Sequence, residues 1–155
     1  MAYRVFLSDE SRTRQLGAVL AKYRPDFALI QLSGDLGAGK TTLTRGFVQA
    51  CGHQGQVKSP TYTLMESYVL PDVTIHHLDL YRLSDPEELE YLGIDELENP
   101  HTIVLVEWPE RGAGVLPAPS LTLQIAHRPD GREVTAIAHN PEAQTWLAQV
   151  QAHFH

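Results

Sequence analysis

Apolar residues recur along the chain with both the helical and the strand period. Leu16, Val19, Leu20 and Tyr23 follow the 3.6-residue spacing and predict a helix over residues 9–23. Residues 27–32 and 103–106 are two almost uninterrupted apolar runs. Strands that are buried on both faces of a parallel sheet have this composition. The two runs therefore predict a parallel centre covered by helices.

Shorter strand-like runs come in pairs. Residues 61–69 and 73–80 flank a Leu-Pro-Asp turn, and residues 121–126 and 133–138 flank an Arg-Pro-Asp-Gly turn, so each pair predicts an antiparallel hairpin. A short helix is predicted from Asp85, as its cap, to Gly93. A final helix follows, with Ala143, Trp146, Leu147 and Val150 on one face. The pattern predicts one α/β domain over residues 1–155, with a mixed sheet whose parallel centre is extended by antiparallel hairpins.

A phosphate-binding motif lies between the first apolar strand and the helix after it. Residues 34–41, GDLGAGKT, match the pattern G-x-x-x-x-G-K-[ST] in full, and the helix that follows ends at Gly52. Glycines in such a loop let successive backbone N–H groups face phosphate oxygens at the start of a helix. We expect Lys40 to reach the β- and γ-phosphates, Thr41 to bind magnesium and Thr42 to approach the α-phosphate. The fold class predicted is a three-layer P-loop NTPase-like fold, and the cofactors are a nucleotide and Mg²⁺.

Two acidic residues are candidates for the metal. Glu107 directly follows the apolar run of residues 103–106, so it should emerge at the carboxyl edge of a central strand, where ligands collect in α/β sheets. Asp79 ends the run His76-His77-Leu78 and could position water or reach the metal through water. For each, the alternative is a solvated acid at a strand end.

Two further positions each have two interpretations. Trp108 either lies near the nucleotide or is a half-buried packing residue. Thr61, within residues 59–63, either senses the γ-phosphate in a loop that orders around it or belongs to a proline-stiffened start of a strand.

Composition limits which partners and which cellular compartment are expected. The formal net charge is −7, and the 12 Lys and Arg residues are scattered, which argues against direct, tight binding to nucleic acid. The single cysteine, Cys51, excludes an intrachain disulfide and favours a reducing cytoplasm. No stretch is long and apolar enough for a signal peptide or a membrane span. The eight histidines lack zinc-site spacing; His76 and His77 are adjacent and should point to opposite faces of a strand.

Beyond the loop, the sequence resembles the TsaE (YjeE) family of bacterial ATPases, which are needed to make threonylcarbamoyladenosine in tRNA. The similar stretches occur in family order from about residue 9 to residue 132. They are GDLGAGKTT (34–42), KSPTYTL (58–64), HLDLYRL (77–83), DPEELE (85–90), LGI (92–94) and VEWP (106–109).

The resemblance implies ATP as the nucleotide and particular roles for these residues. It implies magnesium at Thr41 and Glu107, a functional acid at Asp79, and a switch-like segment over residues 59–63. Arg132 is expected to approach the nucleotide. It also implies work with the paralogous partners TsaD and TsaB, so that tRNA is met only through the complex. Phosphate contacts are implied for the loop residues Asp35, Leu36, Gly37, Ala38, Gly39, Lys40, Thr41 and Thr42.

Two other functions compete with this interpretation. A small-molecule kinase needs a lid, often with arginines, yet only Arg111, Arg128 and Arg132 follow Glu107. A GTP-driven switch protein usually carries the motifs D-x-x-G and N-K-x-D, and neither occurs in the sequence. The resemblance implies an ATPase. We expect it to be slow alone and to depend on partner proteins, because the chain is short for an enzyme with its own acceptor pocket and shows no arginine finger beside the strand-end acids.

Overall fold

The computed structural model describes residues 2–35 and 37–155. Seven strands form one sheet in the order β1-β7-β6-β2-β5-β4-β3. The strands are β1 (Ala2–Leu7), β2 (Phe27–Ser33), β3 (Met65–Val69), β4 (Thr74–Asp79), β5 (Thr102–Glu107), β6 (Leu121–Arg128) and β7 (Gly131–Ala138). The helices are α1 (Glu10–Lys22), α2 (Lys40–Ala50), α3 (Glu88–Tyr91) and α4 (Pro141–His153), with 3₁₀ turns at Ile94–Glu96 and Pro109–Gly112.

The centre of the sheet is parallel, as the apolar runs predicted. β2 pairs in parallel with β5 on one side and β6 on the other, and β5 pairs in parallel with β4. Every residue of β5 is buried. Because these four strands point the same way, the loops after β2, β4 and β5 leave the same edge of the sheet. That edge is where the phosphate motif and both candidate acids lie.

Both predicted hairpins are confirmed. β3 pairs antiparallel with β4, and β6 pairs antiparallel with β7 across a two-residue turn. The sequence analysis missed β1, which pairs antiparallel with β7. Its buried residues Tyr3, Val5 and Leu7 alternate with exposed ones, which is the strand period. A search for two-residue periodicity at the start of the chain would have found it.

Two apolar layers cover the sheet. The larger cluster packs α1, α2 and α4 against one face and includes Phe47 and Trp146. The smaller one covers the other face beneath α3 and the 3₁₀ turns, with Leu89 and Ile94. Successive β5 residues alternate between the clusters, so this central strand contributes to both layers. The result is the predicted three-layer α/β fold with a mixed sheet.

Two predicted elements begin three or more residues later in the structure. The strand predicted from residue 61 begins at Met65, because residues 61–64 form a turn in which the Leu64 N–H donates to the Pro60 carbonyl oxygen at 2.8 Å. Asp85 does not cap α3 directly. Its carboxylate accepts the Glu87 N–H at 3.0 Å in a turn that precedes the four-residue helix. In both places a local turn replaces the first residues of the predicted element.

Two glycines set the distance between α1 and α2. A β-carbon on Gly17 would lie 2.3 Å from the Leu43 carbonyl oxygen, and one on Gly46 would lie 2.2 Å from that of Arg14. These contacts are with backbone atoms, so a rotamer change cannot relieve them. The glycines therefore bring the helices together closely and hold α2, whose first residue is Lys40, against the rest of the layer.

No helix within residues 2–35 and 37–155 combines the length and the apolar character that crossing a membrane requires.

Gly46→Ala tests the close approach of α1 and α2. Alanine favours a helix by about 1 kcal/mol over glycine, but overpacking against a fixed backbone costs typically 1–3 kcal/mol, occasionally more. At 2.2 Å we expect a net loss, seen as a lower denaturation midpoint in urea. Gln49→Ala, at an exposed position of the same helix, is the matched control and should change stability little. Equal stability of the Gly46→Ala protein and the parent would contradict this account.

Candidate functional site

The phosphate-binding motif connects the end of β2 to the start of α2. Gly39 is the residue before the helix and has φ +112°, and Gly37 has φ +77°. Side chains rarely tolerate these values, so the motif's glycines are required at both positions. The Ala38 N–H donates to the Asp35 carbonyl oxygen at 3.0 Å. Leu36, predicted to contact phosphate, lies outside the described residues.

Lys40, the first residue of α2, is buried with few strong partners. Its Nζ donates to the Gly34 carbonyl oxygen at 2.7 Å and lies 3.8 Å from the centre of the Trp108 ring. Burial lowers the pKa of the Lys40 ammonium group below its usual value, while the carboxylates of Glu107 and Asp79 act in the opposite direction. In the described part of the chain no carboxylate oxygen lies within 4.0 Å of Nζ. An anion in the cleft would stabilise this charge.

The two candidate acids lie side by side. Asp79 is the last residue of β4 and Glu107 the last of β5, and the parallel register pairs them directly. Their exposed fractions are 4% and 3%. The alternative of a solvated strand-end acid is therefore not what the structure shows at either position. Buried carboxylates are costly unless they have hydrogen-bond donors or a cation.

The partner of Glu107 is His77, which the sequence analysis did not select. His77 Nε2 donates to Glu107 Oε2 at 2.6 Å, and the imidazole is completely buried. His76, its neighbour, is partly exposed and contacts Ser67, so the two rings do point to opposite faces. The i, i+2 spacing of His77 and Asp79 is the sequence feature that could have identified His77, because it places both residues on one face of β4.

Asp79 is held by residues 59–63 and by its own strand end. The Thr61 hydroxyl donates to Asp79 Oδ2 at 3.0 Å, and the Ser59 hydroxyl lies 3.4 Å from the same oxygen. The Tyr81 N–H donates to Oδ1 at 3.0 Å, and the Asp79 N–H donates to the Leu64 carbonyl oxygen. The segment from Ser59 to Leu64 therefore contacts Asp79 through two side-chain hydroxyl groups and one backbone hydrogen bond.

Trp108 is half-buried, as its packing interpretation expected, and it also lines the cleft. It lines the cleft with one ring face over Lys40, and it also packs against the smaller core cluster beside Tyr81, whose ring centre lies 5.0 Å away. Its backbone has φ +56°, a left-handed conformation that is unusual for a bulky residue. Strain of this kind is maintained where the surrounding packing fixes it.

Arg132, in β7, contacts the phosphate loop itself. Its Nε donates to the Ala38 carbonyl oxygen at 3.0 Å, and one terminal nitrogen lies 3.4 Å from the Gly37 carbonyl oxygen. The guanidinium group thus supports the loop from the antiparallel side of the sheet.

The predicted residues meet at one cleft of 760 Å³. Asp35 is exposed and does not line it in the described part of the chain. The cleft also extends to the junction of β1 and α1, where Ser8, Asp9 and Thr13 line it, and these residues were missed together with β1. The predicted residues that line it are Gly37, Ala38, Gly39, Lys40, Thr41, Thr42, Thr61, Asp79, Glu107, Trp108 and Arg132.

The residues fit a magnesium–nucleotide site by the chemistry of their donors. Glu107 supplies a buried carboxylate and Thr41 a hydroxyl, and oxygen ligands are those that Mg²⁺ prefers. Within residues 2–35 and 37–155 no three His, Cys, Asp or Glu side chains cluster to hold a metal by themselves.

Comparisons with known proteins show which family this sequence resembles. The sequence model of the family described as "Threonylcarbamoyl adenosine biosynthesis protein TsaE" matches residues 7–134. A tRNA threonylcarbamoyladenosine biosynthesis protein TsaE from Haemophilus influenzae is 49% identical over 126 residues, which cover 81% of this chain and 80% of that protein. The TsaE protein of Bacillus subtilis is 36% identical, over 81% of this chain and 79% of its own length.

A solved structure gives the same result for the fold. The crystal structure of YdiB from Bacillus subtilis superimposes with a TM-score of 0.84, covers 99% of this chain and 96% of its own, and is 26% identical in sequence. The family match over most of the chain, the identities to relatives and the shared fold lead to one conclusion: the chain belongs to the TsaE family.

Proposed function

We propose that this chain is a magnesium-dependent ATP-binding and ATP-hydrolysing subunit required for threonylcarbamoyladenosine modification of tRNA. The observation that carries the proposal is the buried lysine of the phosphate motif, placed in one cleft with two buried, adjacent carboxylates. Membership of the TsaE family supports the pathway.

The loop and the start of α2 account for phosphate binding. The first N–H groups of a helix have no partner within the helix and carry partial positive charge, so they attract phosphate oxygens. Lys40 adds a full charge whose close partners among the described residues are a carbonyl oxygen and an aromatic face. Triphosphate oxygens are stronger acceptors than either. Lys40 would therefore exchange these contacts for the β- and γ-phosphates.

Thr41 and Glu107 are the residues that would hold magnesium. The ion, when bound, neutralises charge that develops on the phosphates during transfer. Glu107 lies at the end of β5 and is oriented by a hydrogen bond before any ligand arrives. Ordering of this kind reduces the reorganisation that binding requires.

Asp79 and Thr61 are proposed to serve the γ-phosphate side of the site. Asp79 would orient the attacking water, since it is an acceptor whose position three donors fix. The Thr61 hydroxyl now donates to Asp79, and a γ-phosphate would compete for that hydroxyl. The segment from Ser59 to Thr63 would then respond to whether ATP or ADP is bound.

Partner proteins of the TsaD and TsaB kind are proposed to complete the site. Arg132 is engaged with loop carbonyl oxygens, and Arg82 stacks on Tyr62, which is 83% exposed. Neither guanidinium group hydrogen-bonds to Asp79 or Glu107 in the described residues, so an arginine supplied by a partner would have a role. The net charge of −7 favours contact with tRNA only through the complex. We propose that the protein functions in the cytoplasm.

Lys40→Ala should lower ATP affinity roughly 10-fold or more, because a charge-assisted contact is worth about 1.5–3 kcal/mol. Isothermal titration calorimetry on the folded variant measures it. Lys22→Ala, which removes an exposed lysine at the end of α1, is the matched control and should bind like the parent. Unchanged ATP affinity in a folded Lys40→Ala protein would overturn the assignment of the phosphate loop.

Glu107→Gln keeps the side-chain volume and removes the charge that would face the metal. We expect it to retain nucleotide affinity measured in EDTA, to need more Mg²⁺, and to hydrolyse ATP roughly 100-fold or more slowly, because a metal ion contributes several kcal/mol to such a transition state. A magnesium titration of ATPase activity checks this. Glu142→Gln, an exposed acid in the first turn of α4, is the control. Hydrolysis and magnesium dependence equal to the parent's would exclude Glu107 from the site.

Thr61→Ala should weaken the coupling between ATP and partner proteins more than it weakens ATP binding alone. A loop shifts only through different affinities for its two states, so ATP and partner should strengthen each other's binding reciprocally. Partner affinity is measured with ATP, with ADP and without nucleotide. Thr63→Ala, at an exposed threonine two residues away, is the control. Equal partner affinity of the parent in all three states would show that no such switch exists.

A further inference from the structure

His77 occupies a core position that an aliphatic residue would fill at lower cost. The imidazole is completely buried, and within the described residues its Nδ1 atom has no hydrogen-bond partner. A buried polar atom without a partner destabilises a fold. A leucine would bury similar surface without that cost. The feature that an imidazole adds here is the Nε2–H donor, which reaches Glu107 Oε2 at 2.6 Å.

The register of the sheet explains the reach of this donor. His77 pairs with Leu105 and Asp79 pairs with Glu107 in the parallel β4–β5 ladder. His77, Asp79 and Glu107 therefore share one face of the sheet, and the imidazole extends diagonally from one strand to the end of the next. A carboxylate oxygen can only accept, so the proton of this hydrogen bond lies on Nε2.

The other oxygen of Glu107 is left for the cleft. Within residues 2–35 and 37–155 the carboxylate accepts no other side-chain hydrogen bond, and Glu107 lines the cleft together with Lys40 and Thr41. Asp79 differs, since hydroxyl and backbone donors hold both of its oxygens. A hydrogen bond to one oxygen fixes the rotation of a carboxylate and thereby directs the second oxygen.

We propose that His77 is a positioning residue that holds Oε2 of Glu107 and so presents Oε1 to the magnesium of the bound nucleotide. The inference rests on the proposed function, because it assigns to His77 the outer contact that orients a metal ligand. Removing such a contact typically costs 10- to 100-fold in metal affinity.

The test measures binding of a non-hydrolysable ATP analogue by calorimetry, in EDTA and across a magnesium titration. In His77→Leu the magnesium concentration for half-maximal effect should rise about 10- to 100-fold, with affinity in EDTA equal to the parent's. His77→Gln should restore most of the magnesium response, because its amide nitrogen lies about as far along the side chain as Nε2. His77→Asn, whose amide matches Nδ1 instead, should not restore it. His76→Gln, on the opposite face, is the matched control.

The outcomes separate this inference from the proposed function. An unchanged magnesium response in His77→Leu overturns the positioning role, and so do equal losses of affinity with and without magnesium in every His77 variant. In either case a magnesium response of the parent still upholds the proposed site. A parent that shows no magnesium response overturns both. If His77→Leu does not fold, the comparison of His77→Gln with His77→Asn decides, and equal responses of the two overturn the inference.

A measurement on the parent chain avoids dependence on folding of the variants. The ¹⁵N chemical shift of His77 Nε2 should change when Mg²⁺ is added to the analogue-bound protein, since the ion would draw charge from the carboxylate that accepts the Nε2–H. The corresponding signal of His76 should stay constant. A His77 signal that is indifferent to magnesium would overturn the proposal.

Discussion

The site depends on keeping charged groups buried at one edge of a sheet without letting them neutralise each other directly. Lys40, Asp79 and Glu107 are each at most 5% exposed. The lysine is held by a carbonyl oxygen and an indole face, Glu107 by His77, and Asp79 by hydroxyl and backbone donors. Each charge is thus stabilised by a different set of dipoles. A direct ion pair would occupy the groups that are proposed to bind phosphate and metal.

The rest of the fold serves to hold these groups at fixed positions. The parallel β4–β5 register sets the two acids side by side, and β2 delivers the phosphate loop to the same edge. Gly17 and Gly46 let α2 approach α1 until backbone atoms are nearly in contact, so the start of α2 has little freedom to shift. Arg132 fastens the loop to the antiparallel side through two carbonyl oxygens. Rigid elements of this kind support a precise site better than loops do.

One part of the site is built from a turn. The segment from Ser59 to Leu64 reaches Asp79 through two hydroxyl groups and one backbone hydrogen bond, and beside it the side chain of Tyr62 projects into solvent under Arg82. Most residues of this segment are not buried, and segments of that kind open at a lower free energy than core strands do. This difference in stability fits the proposed roles, in which the strands fix the acids and the turn responds to ligand and partner.

The amino-acid sequence by itself determined the class of fold, the position of the phosphate-binding motif and the positions of the two strand-end acids. Continuous apolar runs identify strands buried on both faces, the glycine spacing of residues 34–41 has a mechanical reason, and an acid that ends a buried strand must emerge at the ligand edge. Only the tertiary structure decided that Glu107 is paired with His77, that Trp108 covers Lys40 and that Arg132 supports the loop. Those contacts join residues 30, 68 and 94 positions apart in the chain. No local period encodes them, because strand register and helix packing bring such residues together only after the sheet has formed.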